Sequence, residues 1–191
     1  MSRLILASAS PRRRELLTAL GVRFEAVEPK ITELTSGEPA EVVLANARLK
    51  AEAGVELARA RAGELVLGVD TDVALDGRLL GKADDEAGAR TRLETLSGRV
   101  HEVLSGMVVV EVGEGGRERS GVASTKVGFR PLEAVDIDRY LASGEWRDRA
   151  GSYAIQGLGS TLVESLHGDI SNVIGLPIAL LLQLEPDLGN A

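Results

Sequence analysis

Leu4-Ile5-Leu6-Ala7-Ser8-Ala9-Ser10-Pro11, residues 4–11, sets the fold class of this chain. Four consecutive apolar residues predict a short buried strand, and the small polar residues after them end it. Ser10 can cap a helix whose first position is Pro11, where the missing N–H and fixed φ of proline are tolerated. Leu16, Leu17 and Leu20 then recur at helical spacing, and Gly21 stops the helix. A buried strand running straight into a helix is the building unit of an α/β protein.

The alternation continues outward. Phe24–Val27 predicts a second strand, and a polar loop follows through Glu38. Pro39 opens a long helix to about Ala62, with Val42, Leu49 and Leu57 among its apolar positions. Leu65-Val66-Leu67-Gly68-Val69-Asp70 is the clearest strand and ends in a polar cluster. Val73–Leu75 and Arg78–Leu80 flank Asp76-Gly77, a strong hairpin signal. A helix is expected from Asp84 or Asp85 to Gly98, burying Leu93 and Leu96. Val103–Val112 and Ser124–Phe129 read as strands around a glycine-rich turn at 113–116. Another helix should run from about Leu132 to Ser143 and end at Gly144. Pro177 begins a short C-terminal helix, and Pro186–Ala191 is expected to fray. No repeat or long linker divides the chain, so residues 1–191 are expected to form one α/β unit, with room for two lobes around a cleft.

Composition narrows the function. The chain has 191 residues, 44% hydrophobic and 27% charged, which excludes disorder and low-complexity repeats. It can bury a substantial core without staples. A net charge of −7 argues against a nucleic-acid coat, and 3% aromatic content removes the usual stacking platforms for single strands. An anion would therefore need a local basic pocket. The absence of cysteine suits a reducing compartment. Leu4–Ala7 is too short for the core of a signal peptide, and Val173–Leu182 is too short to span a bilayer. A cytoplasmic location without a membrane partner is the expectation.

Four constellations could carry chemistry. Ser8-Ala9-Ser10-Pro11-Arg12-Arg13-Arg14 places hydroxyls and guanidiniums at a helix start, where free N–H groups favour an anion. The plainer alternative is a serine cap and a solvated basic face. Three cations in a first turn oppose the helix dipole, however, which favours the anion. Gly68-Val69-Asp70-Thr71-Asp72 puts carboxylates at a strand end, where α/β folds bind ligands, or simply forms an Asx turn. Only four lysines stand beside eighteen arginines, and Lys50 and Lys82 suit phosphate oxygens unless they are surface side chains. Residues 144–157 hold the sole tryptophan, Tyr153, three glycines and Gln156, whose amide can pair with a base edge. Trp146 and Tyr153 serve equally well as core anchors. His101 and His167 have no metal-ligand spacing and read as structural or surface residues.

Taken in order, these segments resemble the Maf family of nucleotide pyrophosphatases. Leu6-Ala7-Ser8-Ala9-Ser10-Pro11-Arg12-Arg13 is similar to its N-terminal signature. Gly68-Val69-Asp70-Thr71, Gly81-Lys82, Ser97-Gly98-Arg99-Val100-His101, residues 150–157 and residues 168–177 resemble its later blocks. Ala83 departs from the usual proline after Gly-Lys, and Ile170 from a usual aromatic; both read as scaffold positions. The resemblance implies a mixed elongated sheet flanked by helices with a deep cleft, of the Maf/inosine-triphosphatase type.

It also implies an enzyme that hydrolyses nucleoside triphosphates to monophosphate and pyrophosphate with a divalent cation, Mg²⁺ or Mn²⁺. By the same resemblance Asp70 is the proton acceptor for water, and Glu33 with Asp70 is associated with metal. Ser8, Arg12, Arg13, Lys50 and Lys82 match the polar substrate-binding residues. Arg12, Thr71 and Gln156 resemble the subgroup that prefers dTTP and UTP. A homodimer is implied by the resemblance, while the net charge of −7 and the few aromatics count against a stable nucleic-acid partner. The alternative reading is a non-catalytic nucleotide- or nucleic-acid-binding regulator of cell division, against which the carboxylates Glu33 and Asp70 count.

Overall fold

The computed structural model describes residues 3–190. The apolar run becomes strand β1 (Leu4–Ala7), fully buried, and helix α1 (Pro11–Ala19) follows it with Pro11 in the first turn. Ser10 holds the cap position, but its side chain makes no capping bond; its N–H donates to Ser8 Oγ instead. Strand β2 (Phe24–Val27) pairs parallel with β1. Helix α2 (Pro39–Leu57) starts at its proline and ends before the expected Ala62, because Arg59 turns left-handed at φ 50°.

Strand β3 (Leu65–Leu75) runs straight through Asp70 without stopping there. Its continuation follows from pairing: strand β5 (Val100–Glu111) lies antiparallel along it from Leu65 to Ala74. The Asp76-Gly77 hairpin forms as expected, both residues at positive φ, and returns as the two-residue strand β4 (Arg78–Leu79). Helix α3 (Glu86–Leu96) is capped by the Asp85 side chain and buries Leu93 and Leu96. Strand β6 (Glu118–Phe129) begins earlier than Ser124, its polar first half alternating along β5. Helix α4 (Ala134–Ser143) ends at left-handed Gly144. Strand β7 (Val163–His167) and the single-turn helix α5 (Ile170–Ile174) were not expected from sequence. Helix α6 (Ile178–Leu184) follows Pro177. The tail is organised as far as it is described: Pro186–Asn190 forms a 3-10 turn, and Glu185 is buried against Arg119. Ala191 lies outside the described residues.

The seven strands make one mixed sheet ordered β2-β1-β3-β5-β6-β7, with β4 on β3. One apolar cluster joins β1, the first half of β3, α1 and α6; another joins α3, α4, Phe129 and Tyr153. Helix α2 crosses β3 and β5 at close range. A Cβ on Gly68 would lie 2.1 Å from Ala47 O, and one on Gly106 2.3 Å from Val43 O, so only glycine permits this approach. The buried face of α2 is accordingly small or polar, including Asn46, Ala47, Lys50, Ala51 and Gly54, while Leu49 and Leu57 are exposed. Strand β1 ends opposite Gly68 and β4 begins opposite Ala74. From Val69 to Asp72 no strand pairs with that edge of β3 among the described residues, and a pocket is lined by this stretch.

Candidate active site

The pocket has a volume of about 850 Å³, and all nine residues singled out in the sequence line it. Six basic and four acidic side chains face it, a basic excess inside a chain of net charge −7.

Its floor is built by α2 over β3. Lys50 Nζ lies 2.5 Å from Asp70 Oδ1 and 2.6 Å from Glu33 Oε1. Asn46 Nδ2 donates to Asp70 Oδ2 at 3.1 Å and to Leu34 O at 3.0 Å, and Asn46 Oδ1 accepts from Leu34 N at 2.8 Å. Asn46 and Lys50 are one helical turn apart on the same face, so both reach the same carboxylate. A polar asparagine on the buried face of a long helix is the signal by which Asn46 could have been found in the sequence. Asp70 and Lys50 are buried, whereas the Glu33 side chain is 43% exposed on the loop before α2.

Arg13 holds the second wall together. Its Nε donates to Gly175 O at 2.8 Å, Nη1 to Ser8 Oγ at 2.9 Å and Nη2 to Thr71 Oγ1 at 3.1 Å. Thr71 Oγ1 is also 2.8 Å from Ser105 Oγ. Burial pulls the Arg13 guanidinium down to about 10, with Asp70 opposing and Arg12 adding to the shift, so it stays charged at neutral pH. Arg12 is half-buried and forms no ion pair among the described residues; burial also lowers its pKa.

Asp72 lies farther along β3. Burial pushes its carboxyl up to about 6, the Val73 and Gly81 N–H groups pull it down, and Asp70 and Glu33 raise it further. Lys82 is exposed at the rim, beyond the hairpin. Lys82 pairs with Ala150 in an isolated antiparallel bridge, and the same segment brings Arg147, stacked 4.8 Å over the Trp146 ring, and the exposed Gln156 to the pocket. Tyr153 lines the pocket with its hydroxyl 2.8 Å from Nε2 of buried His101, which makes that histidine structural.

Glu33 and Asp70 both approach the Lys50 ammonium, and their carboxylate oxygens are the hard donors that Mg²⁺ and Mn²⁺ take. Among the described residues no group of three His, Cys, Asp or Glu could hold an ion alone. An ion held by this pair would take its remaining ligands from phosphate oxygens or water.

The model for Maf-like proteins matches residues 3–185. The chain belongs to the Maf family. This Maf protein is 49% identical over 193 residues to a dTTP/UTP pyrophosphatase of an Anaeromyxobacter species, covering 98% of this chain and 90% of that one. It is 43% identical over 182 residues to a dTTP/UTP pyrophosphatase of Thermococcus gammatolerans, covering 95% of each. Among solved structures, the Maf chain is similar to a nucleoside-triphosphatase (dITP/XTP pyrophosphatase) of Mycobacterium abscessus. That match has 23% identity and a TM-score of 0.45, covering 69% of this chain and 76% of that one.

Proposed function

We propose that this Maf protein hydrolyses nucleoside triphosphates, with dTTP and UTP preferred, to the monophosphate and pyrophosphate. The observation that carries the reading is the Asp70 carboxylate, gripped by Lys50 and Asn46 on the floor of a basic pocket. The names of its full-length relatives point the same way.

Asp70 receives one proton of the attacking water as the water oxygen bonds to the α-phosphorus. The bond from that phosphorus to the α–β bridging oxygen breaks, and pyrophosphate leaves with the electron pair. Asn46 and Lys50 keep the accepting carboxylate from rotating, which holds water and base in one geometry. Arg12, Lys82 and the N–H groups opening α1 face the charge that grows on the phosphates. A divalent cation held by Glu33 and Asp70 would neutralise part of that charge. Arg13 and Thr71 spend their hydrogen bonds inside the chain and contribute by fixing Ser8 and the wall. Gln156, free at the rim, offers an amide that matches the acceptor and donor edge of uracil or thymine.

The absence of cysteine supports a reducing, cytoplasmic setting. Light scattering checks the homodimer that the family resemblance implies. Hydrolysis of dTTP in ¹⁸O-labelled water is the direct test of the reaction: label in the monophosphate is expected, with pyrophosphate as co-product. Release of orthophosphate, or label in pyrophosphate, refutes it. Kinetics on dTTP, UTP, CTP, GTP and 7-methyl-GTP test the base preference, and a guanine nucleotide with the highest kcat/KM overturns it.

A further inference from the structure

One edge of the pocket is formed by Gly81 and Lys82, at the corner Leu80-Gly81-Lys82 that leaves the hairpin. Three groups fix its backbone. Gly81 N donates to Asp72 Oδ1 at 3.1 Å, Gly81 O accepts from Gly151 N at 2.9 Å, and Arg92 spans the corner from α3. Arg92 Nε donates to Leu80 O and Nη2 to Lys82 O, both at 2.9 Å, and Nη1 to Gly88 O on its own helix at 3.2 Å. Gly81 itself sits at φ +59°, and the residue after it, Lys82, lines the pocket. Lys82 needs such support. Its side chain is long and exposed, it forms no ion pair among the described residues, and so its direction comes from its backbone.

Asp72 is an expensive way to close a hairpin. A carboxylate at this half-buried strand position, two residues from Asp70, gives up water that an apolar residue would not need. What the carboxylate supplies is one oxygen accepting two backbone N–H groups, Val73 at 2.7 Å and Gly81 at 3.1 Å. We infer that Asp72 and Arg92 are positioning residues for Lys82, gripping the corner on either side of Gly81 so that the ammonium meets the substrate phosphates. The inference rests on the pyrophosphatase reading and on Lys82 as a phosphate contact.

Steady-state kinetics on dTTP test it with wild type, Asp72→Ala, Lys82→Ala, the double variant and Asp72→Asn. Losing the acceptor should raise KM about tenfold with kcat within about threefold, the scale of one unmade hydrogen bond passed on to a binding contact. In the Lys82→Ala background Asp72→Ala should add less than about twofold, since a missing ammonium cannot be misplaced. Asp72→Asn should rescue, because its amide oxygen still accepts both N–H groups. Arg92→Met should reproduce the KM effect and the non-additivity, and it serves alone if Asp72→Ala fails to fold. Full multiplication of the two effects overturns the inference. So does Asp72→Asn as damaging as Asp72→Ala, or Arg92→Met with unchanged KM. Lys82→Ala with wild-type kinetics also overturns it while leaving the pyrophosphatase reading intact. That reading fails separately, if wild type releases no pyrophosphate.

Discussion

The Lys50 ammonium lies 2.5 Å from a carboxylate oxygen of Asp70, with both side chains about nine-tenths buried. Two ions taken this far from water are stable only as partners, and Glu33 and Asn46 complete the set. The arrangement makes Asp70 a fixed acceptor at the base of the pocket.

Replacing Lys50 by Met should therefore harm both fold and activity. Asp70 is left buried beside Glu33 without its paired ammonium, at a cost of about 3 kcal/mol. Urea unfolding at pH 7.5 measures it, and adding Asp70→Asn to Lys50→Met should recover part of the loss. An unchanged midpoint would show that the pair is solvated.

Asp70→Asn retains the shape and an acceptor for Lys50 but cannot take a proton. Turnover should fall by roughly 10²-fold or more, with the circular dichroism spectrum preserved. Near wild-type turnover would reduce Asp70 to a structural role.

Activity should require a divalent cation. Glu33, Asp70 and Asp72 face a pocket that must admit a triphosphate, and unscreened carboxylates repel it. Chelated, metal-free protein is expected to be inactive and to recover with Mg²⁺ or Mn²⁺; full turnover in excess EDTA contradicts this.

His101 should make the fold acid-sensitive. Burial lowers its pKa from 6.5 to about 4, so between those values the unfolded chain binds the extra proton. The stability is present above pH 6.5 and lost as pH falls, by about 2 kcal/mol at pH 5. Asp72 works the other way, since a carboxyl raised to about 6 gains stability on acidification below that value. The isolating comparison is wild type against His101→Gln, with urea midpoints at pH 7.5 and 5. The variant should lose less on acidification; equal losses would mean His101 is not held neutral.

Much of this architecture can be read from the chain alone. Apolar runs bounded by proline, glycine and capping residues locate β1, α1, β2, α3 and the Asp76-Gly77 hairpin, because these signals are local. Where the reading failed, a distant partner decided. Asp70 looks like a strand end, yet β5 carries the ladder past it. Leu49 and Leu57 look like core positions of α2, but the helix backbone lies against Gly68 and Gly106 and turns Ala47, Ala51 and Gly54 inward instead. Strand β7 has little apolar periodicity and is defined by pairing with β6 across a bulge at Gly128/Phe129. Eight of the nine site positions lie in segments that local chemistry already marked, Glu33 was added by family resemblance, and all nine line the pocket. Asn46 and Arg92 escaped because each acts through a partner on another element.

The bond from Arg13 to Gly175 joins residues 162 positions apart. A chain grows from its N-terminus at roughly 5–20 residues per second, so Arg13 waits roughly 10–30 s for that carbonyl to be synthesised. Until then Ser8 and Thr71 are held by an arginine lacking its third anchor, and Leu176 and Leu181 have not sealed the apolar cluster around β1. A product truncated before Gly175 would carry every charged residue of the pocket without the carbonyl that anchors Arg13.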